Sequence, residues 1–383
     1  MTSGSAWILL RMITLKNEVT LSAVKVVTAL AFLTGMLLSA RLWITDRSFP
    51  LVPFWEWIPI LRPPADYVLT GLMAVLLCVI IVFRKHTLPV FLFLAVYLTV
   101  AVQDQNRLQP YYYMYCLILL ATCISQRNQE QKTEIALNTI RLLFFGVYFW
   151  SGIHKMNMQF AGRILTTANH LLPAYMTDFA FGQHVMLLIP ALETSLALGL
   201  LYSRTRRISV FLLVCMHLII ITGLLLKRWN LIVIPWNAAL IVLVIILFGE
   251  KKYFSSVGKI FSPERSLIKA AIFVLVILMP AFNFIGYWDH YLSFSLYSNK
   301  APYAIIYLGE DHVQSLSAPV RQHVKTMHGK PYLDLTYWLI DETNTVPYPE
   351  RRVYNKVYEY VCGFYTDSCQ AELKIYKGQQ ELY

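Results

Sequence analysis

Residues 203–249 read SRTRRISVFLLVCMHLIIITGLLLKRWNLIVIPWNAALIVLVIILFG. This segment contains two long apolar runs, 208–227 and 231–249, joined by a short polar turn at Arg228. Each run approaches the roughly 20 residues that an α-helix needs to cross the hydrocarbon core of a bilayer. The arginines before the first run favour the cytoplasmic side of a membrane. The segment therefore predicts two membrane-spanning helices that are joined on the outer side.

The same pattern extends over most of the chain. Of its 383 residues, 57% are hydrophobic and only 14% are charged, whereas soluble domains carry about 25% charged residues. Nine apolar stretches predict membrane helices: 19–42, 67–84, 88–104, 109–125, 135–153, 183–202, 208–227, 231–249 and 267–286. The third and fourth are short, so one re-entrant pair is an alternative. We expect an all-α polytopic membrane protein of about nine transmembrane helices.

The charge distribution indicates topology and not an anionic partner. Lys and Arg number 33 against 22 Asp and Glu, which gives a net charge of +11. The basic residues stand as short groups between apolar runs, whereas a nucleic-acid-binding protein clusters them on one surface. Their 13 to 8 division between alternate connections favours a cytoplasmic N-terminus. We therefore expect the lipid bilayer as a partner and no nucleic acid.

These features divide the chain into a cytoplasmic interfacial segment (1–18), a transmembrane domain (19–286) and a small C-terminal domain (287–383). Nine spans from a cytoplasmic N-terminus place the C-terminal domain outside the cytoplasm, at a plasma membrane or bacterial inner membrane. An α+β fold is expected for that domain, because β-branched and aromatic runs indicate strands and one stretch has helical periodicity. The expected strands are 304–308, 332–339 and 372–376, and the expected helix is 350–361.

Cys362 and Cys369 lie in this polar tail, seven positions apart. An oxidising compartment favours a disulfide between them, and two free thiols are the alternative. The C-x6-C spacing is wider than the C-x-x-C redox motif. Because no histidine accompanies the pair as a further ligand, we expect no metal site.

Several ionisable residues fall inside the apolar stretches, where each costs about 2.5–3.5 kcal/mol. Lys25 and Lys269 lie near helix ends and can extend to the lipid headgroups. Arg141 is two turns from its helix end, where a neighbouring helix or a lipid phosphate can pair with it. The deeper residues Glu193 and His217 reach water less easily. A buried Glu and His are either structural or the sign of a cavity or proton route.

Lys155 ends the fifth stretch, directly after His154. A lysine in an apolar environment loses its proton more readily, because burial disfavours the charged form. Its neutral amine then acts as a base near neutral pH. Lys155, Glu193 and His217 together supply an amine, a carboxylate and an imidazole for proton transfer. The pattern leaves open whether they meet in space.

Four segments carry a resemblance to a known family. They are VYFWSGIHKMNMQF (Val147 to Phe160), PALETSLALGLLYSRTRR (Pro190 to Arg207), VCMHLIIITG (Val214 to Gly223) and YWDHYLSFSLYSN (Tyr287 to Asn299). Their order and spacing resemble the vitamin K-dependent γ-glutamyl carboxylase family and its bacterial relatives, which are grouped as the HTTM (horizontally transferred transmembrane) domain. The resemblance covers roughly residues 20 to 300.

The resemblance implies roles for five residues. Lys155 matches the lysine that deprotonates vitamin K hydroquinone in the family, and His154 stands where the family has another lysine. Glu193 and His217 match buried polar positions that organise the cavity. Tyr111, in QPYYYMYC, stands where the family has its second catalytic histidine. A vitamin K-type hydroquinone is the implied cofactor.

The departures from the family pattern argue against glutamate carboxylation, because one catalytic group is replaced and the C-terminal part is short. The first hypothesis is a membrane enzyme with Lys155 as base, acting on a quinone or another lipid-soluble substrate in a cavity open to the outer leaflet. The alternative is a non-enzymatic scaffold that presents the Cys362 to Cys369 domain to an extracytoplasmic protein partner. A proton-coupled transporter is less favoured, since paired helix repeats are not seen. A DoxX-like electron-transfer partner of thiol oxidoreductases is the weakest option.

Overall fold

The computed structural model describes residues 3–126, 129–168, 179–249, 256–262, 266–365, 369–378 and 380–381. Within these ranges the fold is mostly helical and carries a small C-terminal sheet. Some basic residues of the expected cytoplasmic connections lie outside the described residues: Arg127, Lys251, Lys252 and Arg265.

The helices and strands follow in chain order. The helices are α1 (Ser3–Leu38), α2 (Ala40–Trp43), α3 (Ala65–Val82), α4 (Leu88–Ala101), α5 (Pro110–Thr122), α6 (Glu130–Lys155), α7 (Met158–Ala168), α8 (Phe179–Met186), α9 (Leu188–Leu201), α10 (Arg206–Lys227), α11 (Val233–Phe248), α12 (Val257–Phe261), α13 (Leu267–Phe273), α14 (Ala318–Arg321), α15 (Leu335–Thr343) and α16 (Arg351–Cys362). The strands are β1 (Pro302–Tyr307), β2 (Lys325–Met327), β3 (Lys330–Asp334), β4 (Glu372–Lys377) and β5 (Gln380–Glu381).

Six described helical segments are long and apolar enough to cross a membrane: Lys16–Leu38, Ala65–Val82, Glu130–Lys155, Phe181–Leu201, Arg206–Lys227 and Leu267–Ile285. The predicted stretches 88–104, 109–125 and 231–249 form the shorter helices α4, α5 and α11, of 14, 13 and 16 residues. Helix α5 begins at Pro110, which is tolerated in the first turn because no intrahelical donor is needed there. Length and composition thus identify six candidate spans and do not identify these three shorter helices as spans.

Helix α1 is continuous from Ser3 to Leu38. The expected boundary near residue 18, between an interfacial segment and the first span, is therefore not a break in the helix.

The last candidate span changes helical type along its length. It begins as α13, continues as a π-turn over Val274–Leu278 and tightens to a 3-10 helix over Met279–Ile285. Pro280 has no N–H to donate to the carbonyl of Val276, four residues before it. A Cβ on Gly146 of α6 would lie 2.6 Å from that carbonyl oxygen. Glycine at 146 therefore lets α6 approach the irregular part of the last span.

Helix α6 lies at the centre of the bundle. Its apolar window is 78% buried, against 22% for α10 and 22% for the last span. Its most extensive packing is against α9. Large apolar side chains cover the outside of the bundle, and among them Ile219 and Leu226 are 72% and 81% exposed. Such a surface suits a surrounding of lipid.

The C-terminal domain contains a five-stranded antiparallel sheet with strand order β2-β3-β1-β4-β5. The predicted strands 304–308 and 372–376 are confirmed as β1 and β4, and the predicted helix 350–361 is α16. The prediction of a strand through 339 is wrong, because the chain turns into α15 after Asp334. The Asp334 carboxylate accepts hydrogen bonds from the backbone N–H groups of Thr336 and Tyr337, at 2.8 and 3.2 Å, and so caps that helix.

The C-terminal domain packs directly on one end of the helical bundle. Phe49 and Val52, from the connection after α2, lie in its hydrophobic core. The buried Glu342 carboxylate of α15 accepts hydrogen bonds from Ser48 Oγ, Ser48 N and Phe49 N. On the other side, Asn106 Oδ1 accepts a hydrogen bond from Tyr348 N at 2.9 Å. These contacts fix the domain to the bundle.

Cys362 and Cys369 are joined by a disulfide, with their Cα atoms 5.3 Å apart. The pair connects the end of α16 to the segment before β4, within the small domain.

Candidate functional site

The candidate site is built on the domain-facing end of α6. Tyr148, Ser151 and Lys155 are spaced i, i+3 and i+7, which puts them on one face of the helix. Gly152 lies beside them, and a Cβ there would stand 2.2 Å from Thr194 Oγ1 and 2.8 Å from Thr194 N. Glycine at 152 therefore allows α9 to approach α6 closely at this point.

Lys155 and Glu193 meet across this close contact. Lys155 Nζ lies 3.1 and 2.9 Å from the two carboxylate oxygens of Glu193, and 2.7 Å from Ser151 Oγ. The two side chains are 15% and 8% exposed. Because an ammonium group has three N–H donors, these contacts use all of them. The pair is a charged and largely buried ion pair.

His217 forms a second polar group with side chains of two other helices. Tyr148 OH lies 2.9 Å from His217 Nε2, and His217 Nδ1 lies 2.7 Å from Asn237 Oδ1. Asn237 Nδ2 donates to the Val233 carbonyl at 2.8 Å, which leaves Oδ1 as an acceptor. Nδ1 of the imidazole therefore donates to Asn237 Oδ1, and Tyr148 OH is the hydrogen-bond partner of Nε2.

The structure thus brings two of the three proton-transfer candidates into direct contact. Lys155 and Glu193 are paired, whereas His217 lies within electrostatic range of both and contacts neither. Tyr148 joins the two groups, because it shares the α6 face of Lys155 and bonds to His217.

His154 lies on another face of α6. Its ring is fully buried and stacks on Trp150 at 5.7 Å and on Phe284 at 4.7 Å between ring centroids. In the described part of the chain neither ring nitrogen has a hydrogen-bond partner. Although adjacent in sequence, His154 and Lys155 belong to different environments.

Tyr111 lies apart from Lys155, at the start of α5. It is buried, its ring contacts Tyr112 and Trp236, and its hydroxyl has no hydrogen-bond partner among the described residues. The contacts around Tyr111 do not include Lys155, Glu193 or His217.

The other ionisable residues of the apolar stretches are buried and bond to backbone carbonyls. Lys25 Nζ donates to the His86 carbonyl at 3.2 Å and Lys269 Nζ to the Lys259 carbonyl at 3.0 Å. Both are 3% exposed, so extension to lipid headgroups is not their arrangement. Arg141 Nε donates to the Leu247 carbonyl at 3.0 Å, which ties α6 to α11.

In the described ranges no group of three His, Cys, Asp or Glu side chains stands close enough to hold a metal ion. A small cavity lies elsewhere, between α3, α4 and the connection around Arg107. It has room for about one water molecule. The hypothesis of a substrate cavity beside Lys155 remains a prediction.

Sequence reasoning missed four residues of the site: Tyr148, Ser151, Gly152 and Asn237. Helical spacing from Lys155 was a usable signal for Tyr148 and Ser151. Asn237 could have been recognised from the sequence, because it is a polar residue within the apolar run 231–249. The role of Gly152 depends on the position of α9, which no local pattern gives.

Comparison with known proteins adds no relative: no family model, no curated protein and no solved structure matches this chain.

Proposed function

We propose that this chain is a multi-pass membrane protein that removes a proton from a hydroxyl group of a lipid-soluble substrate, of which a hydroquinone is the type. The observation that carries the proposal is the buried ion pair of Lys155 and Glu193, beside the hydrogen-bonded chain of Tyr148, His217 and Asn237. Ionisable residues held inside a membrane domain mark proton routes and substrate sites.

The pair acts as a unit in this proposal. The ammonium of Lys155 has no free electron pair, so the substrate proton passes to the Glu193 carboxylate. The electron pair of the broken O–H bond stays on the substrate oxygen, and the Lys155 ammonium stabilises the resulting anion. This assignment differs from the sequence-based expectation, in which Lys155 itself is the base.

We also propose membership of the carboxylase-like HTTM family, without glutamyl carboxylase activity. What supports it is the packing of the four segments that carry the resemblance. Segment 147–160 contacts 190–207 through Lys155 and Glu193 and contacts 214–223 through Tyr148 and His217. It contacts 287–299 through a hydrogen bond from Asn157 Nδ2 to the Ser298 carbonyl at 3.0 Å.

The proposed topology has nine spans, a cytoplasmic N-terminus and an extracytoplasmic C-terminal domain, in a plasma or bacterial inner membrane. Its support is that alternate connections meet the C-terminal domain or its lead segment, at Ser48, Asn106, Asn157 and Asn230. Further support comes from Arg47, which pairs with the buried Asp104 carboxylate on that side. Because Asp104 neutralises Arg47, this arginine is not a free basic residue on the side of the C-terminal domain. The excess of free basic residues on the opposite side is therefore larger.

Oxidation of menadiol by oxygen tests the enzymatic proposal. Reaction of the deprotonated hydroquinone with oxygen gives menadione and hydrogen peroxide, so liposomes containing the protein should speed the appearance of menadione absorbance. Lys155→Ala and Glu193→Gln should each lose about 100-fold of this acceleration, and Tyr148→Phe should lose less. Lys227→Ala, at an exposed lysine of α10, is the matched control. Wild-type turnover by a folded Lys155→Ala variant would refute the proposal.

A scaffold that binds an extracytoplasmic protein is the second candidate. Its specific support is the edge strand β2, whose residues Lys325 to Met327 are all exposed. Next to it, Tyr337 is 52% exposed with Lys325 Nζ 3.8 Å from its ring centroid. Exposed strand edges and tyrosines are common in protein interfaces. Tyr337→Ser with Met327→Ser should then abolish co-purification of a partner, whereas Lys155→Ala should leave it intact.

A further inference from the structure

The second face of α6 contains a buried histidine with unused hydrogen-bonding capacity. His154 is 0% exposed, and both of its ring nitrogens and the indole N–H of Trp150 lack a hydrogen-bond partner among the described residues. The carbonyl of Pro280 lies near the His154 ring but outside hydrogen-bond geometry. A buried polar group without a partner destabilises the folded state, because it has lost its hydrogen bonds to water. Such groups commonly indicate a bound water, ion or ligand.

Two lysines and a second histidine lie near this histidine. Lys300 Nζ lies 4.9 Å from the centroid of the Phe284 ring, on which His154 also stacks. Lys377 of β4 is the strand partner of Pro302, two residues after Lys300. His290 Nδ1 lies 3.4 Å from Asn283 Nδ2, one residue before Phe284. Neither lysine forms an ion pair with any described residue. The group therefore holds positive charge that no described carboxylate neutralises.

The acidic side chain next to His290, that of Asp289, is directed elsewhere. Asp289 Oδ1 accepts hydrogen bonds from the N–H groups of Tyr291 and Leu292, at 2.7 and 3.0 Å. His290 instead lies 3.4 Å from Ser295 Oγ and 3.4 Å from Asn283 Nδ2. Burial, and then the charges of Lys377 and Lys300, lower the pKa of His290 to about 4. An anion placed here would relieve both the repulsion and the missing hydrogen bonds.

The site lies where the last candidate span leaves the bundle. Phe284, Ile285 and Tyr287 are 51%, 65% and 82% exposed, and the indole N–H of Trp288 is a further buried donor without a described partner. An apolar and aromatic surface next to cationic groups is typical of the level of lipid headgroups. The same surface offers contact to acyl chains.

We propose that His154, His290, Lys300 and Lys377 bind the phosphate of an anionic phospholipid headgroup, whose acyl chains lie along Phe284 and Ile285. We name this group the phosphate site. The two ammonium groups supply charge, and the imidazole of His154 and the indoles of Trp150 and Trp288 supply hydrogen-bond donors. The proposal is independent of proton transfer at Lys155, because the two sites use different faces of α6.

Native mass spectrometry of the purified full-length protein tests this proposal. After equilibration with equal amounts of phosphatidylglycerol and phosphatidylcholine, the wild type should retain one phosphatidylglycerol in preference. Lys300→Gln with Lys377→Gln should weaken that retention by about 30-fold, and His154→Phe should also reduce it. Lys227→Gln, at an exposed lysine outside the site, should retain it, and so should Lys155→Ala. The last control separates failure of this proposal from failure of the enzymatic one.

Three results would overturn the phosphate site. They are equal retention of the two lipids by the wild type, an unchanged preference in the folded double lysine variant, and displacement of the lipid by an equal concentration of inorganic phosphate. The last result would indicate a site for small anions. A further measurement uses the wild type alone. Its preference for phosphatidylglycerol should fall as ionic strength rises, because salt screens the partly exposed charges of Lys300 and Lys377.

Discussion

The two faces of α6 differ in how fully their polar groups are partnered. On the Lys155 face, the ammonium, the Glu193 carboxylate and the His217 imidazole all have partners within 3.1 Å. On the His154 face, two ring nitrogens and an indole N–H are buried without a described partner. Lys155 thus belongs to a network in which every polar group has a partner, whereas the adjacent His154 lies among polar groups that have none described. The first arrangement stabilises helix packing and holds the Lys155 and Glu193 side chains in place, and the second leaves buried hydrogen-bonding groups for a ligand.

Removing one partner of the Lys155 and Glu193 ion pair should destabilise the protein most. Glu193→Gln leaves the Lys155 ammonium buried without a counter-charge, which should reduce the free energy of unfolding by about 3–5 kcal/mol. Thermal unfolding in detergent measures the loss. The double variant Lys155→Gln with Glu193→Gln should lose less than the sum of the single changes, because it leaves no unpaired charge. A Glu193→Gln variant as stable as the wild type would show that the pair does not stabilise the fold.

A change at Gly152 should have the next largest effect. The added Cβ of Gly152→Ala would overlap Thr194 Oγ1 and approach Thr194 N to 2.8 Å, so α9 must move away from α6. We expect a loss of about 3 kcal/mol and weaker coupling between Lys155 and Glu193. Gly223→Ala is the matched control, since nothing lies within 4 Å of that position, and its melting temperature should not fall. Equal melting temperatures for both variants would contradict the close helix contact.

Stability should also depend on pH at Asp289, in the segment that follows the last candidate span. Burial, with the charge of Glu350 also contributing, raises the pKa of Asp289 to about 6 from its usual value near 3.8. The folded state therefore binds more protons than the unfolded state between these values. This group contributes stability below about pH 4, and the contribution is lost as the pH rises through 6.

Asp289→Asn should remove this dependence while it keeps an acceptor oxygen for Tyr291 N. Relative to the wild type, the variant should gain about 1–2 kcal/mol between pH 4 and pH 7, after allowance for solvent screening of a half-buried group. Melting temperatures over that pH range measure the gain. Glu310→Gln, at an exposed carboxylate, should show none. A constant difference between variant and wild type would contradict the raised pKa.

Substitution of His154 should change the stability least. His154→Phe keeps a ring between Trp150 and Phe284 and removes two unpartnered nitrogens, so stability in lipid-free detergent should stay the same or rise by up to about 1 kcal/mol. His217→Phe is the matched change on the other face and should cost about 1–3 kcal/mol, because it leaves Tyr148 OH and Asn237 Oδ1 without partners. Similar losses in the two variants would remove the distinction between the faces.

Much of the architecture was predictable because a bilayer imposes a strong demand on sequence. Long apolar runs such as 208–227 predict helices directly, since backbone polar groups must be satisfied within each span. The error at 332–339 arose because the β-branched and aromatic pattern did not account for the cap at Asp334. Pro280 signals a break in the hydrogen bonding of the last span, whereas the close approach of Gly146 to the Val276 carbonyl depends on how α6 packs against that span.

The sequence predicted which residues belong to the candidate site, but it did not predict which of them contact each other. Glu193, His217 and Lys155 were visible as ionisable groups in apolar surroundings, because such residues are costly and rare there. Which of them meet depends on how α9 and α10 rotate and shift against α6. Those quantities are set by contacts such as Gly152 with Thr194, between residues 42 positions apart.

Hydropathy and helical period are local properties. The order of residues alone therefore shows that apolar helices dominate this chain, where its polar tail begins and which ionisable residues need a partner. The pairing of Lys155 with Glu193, the bond from His217 to Tyr148 and the burial of His154 without a described partner follow from the folded arrangement. Hydrogen bonds and ion pairs act over about 3 Å. Helices distant in sequence reach that distance only through the packing of the whole bundle.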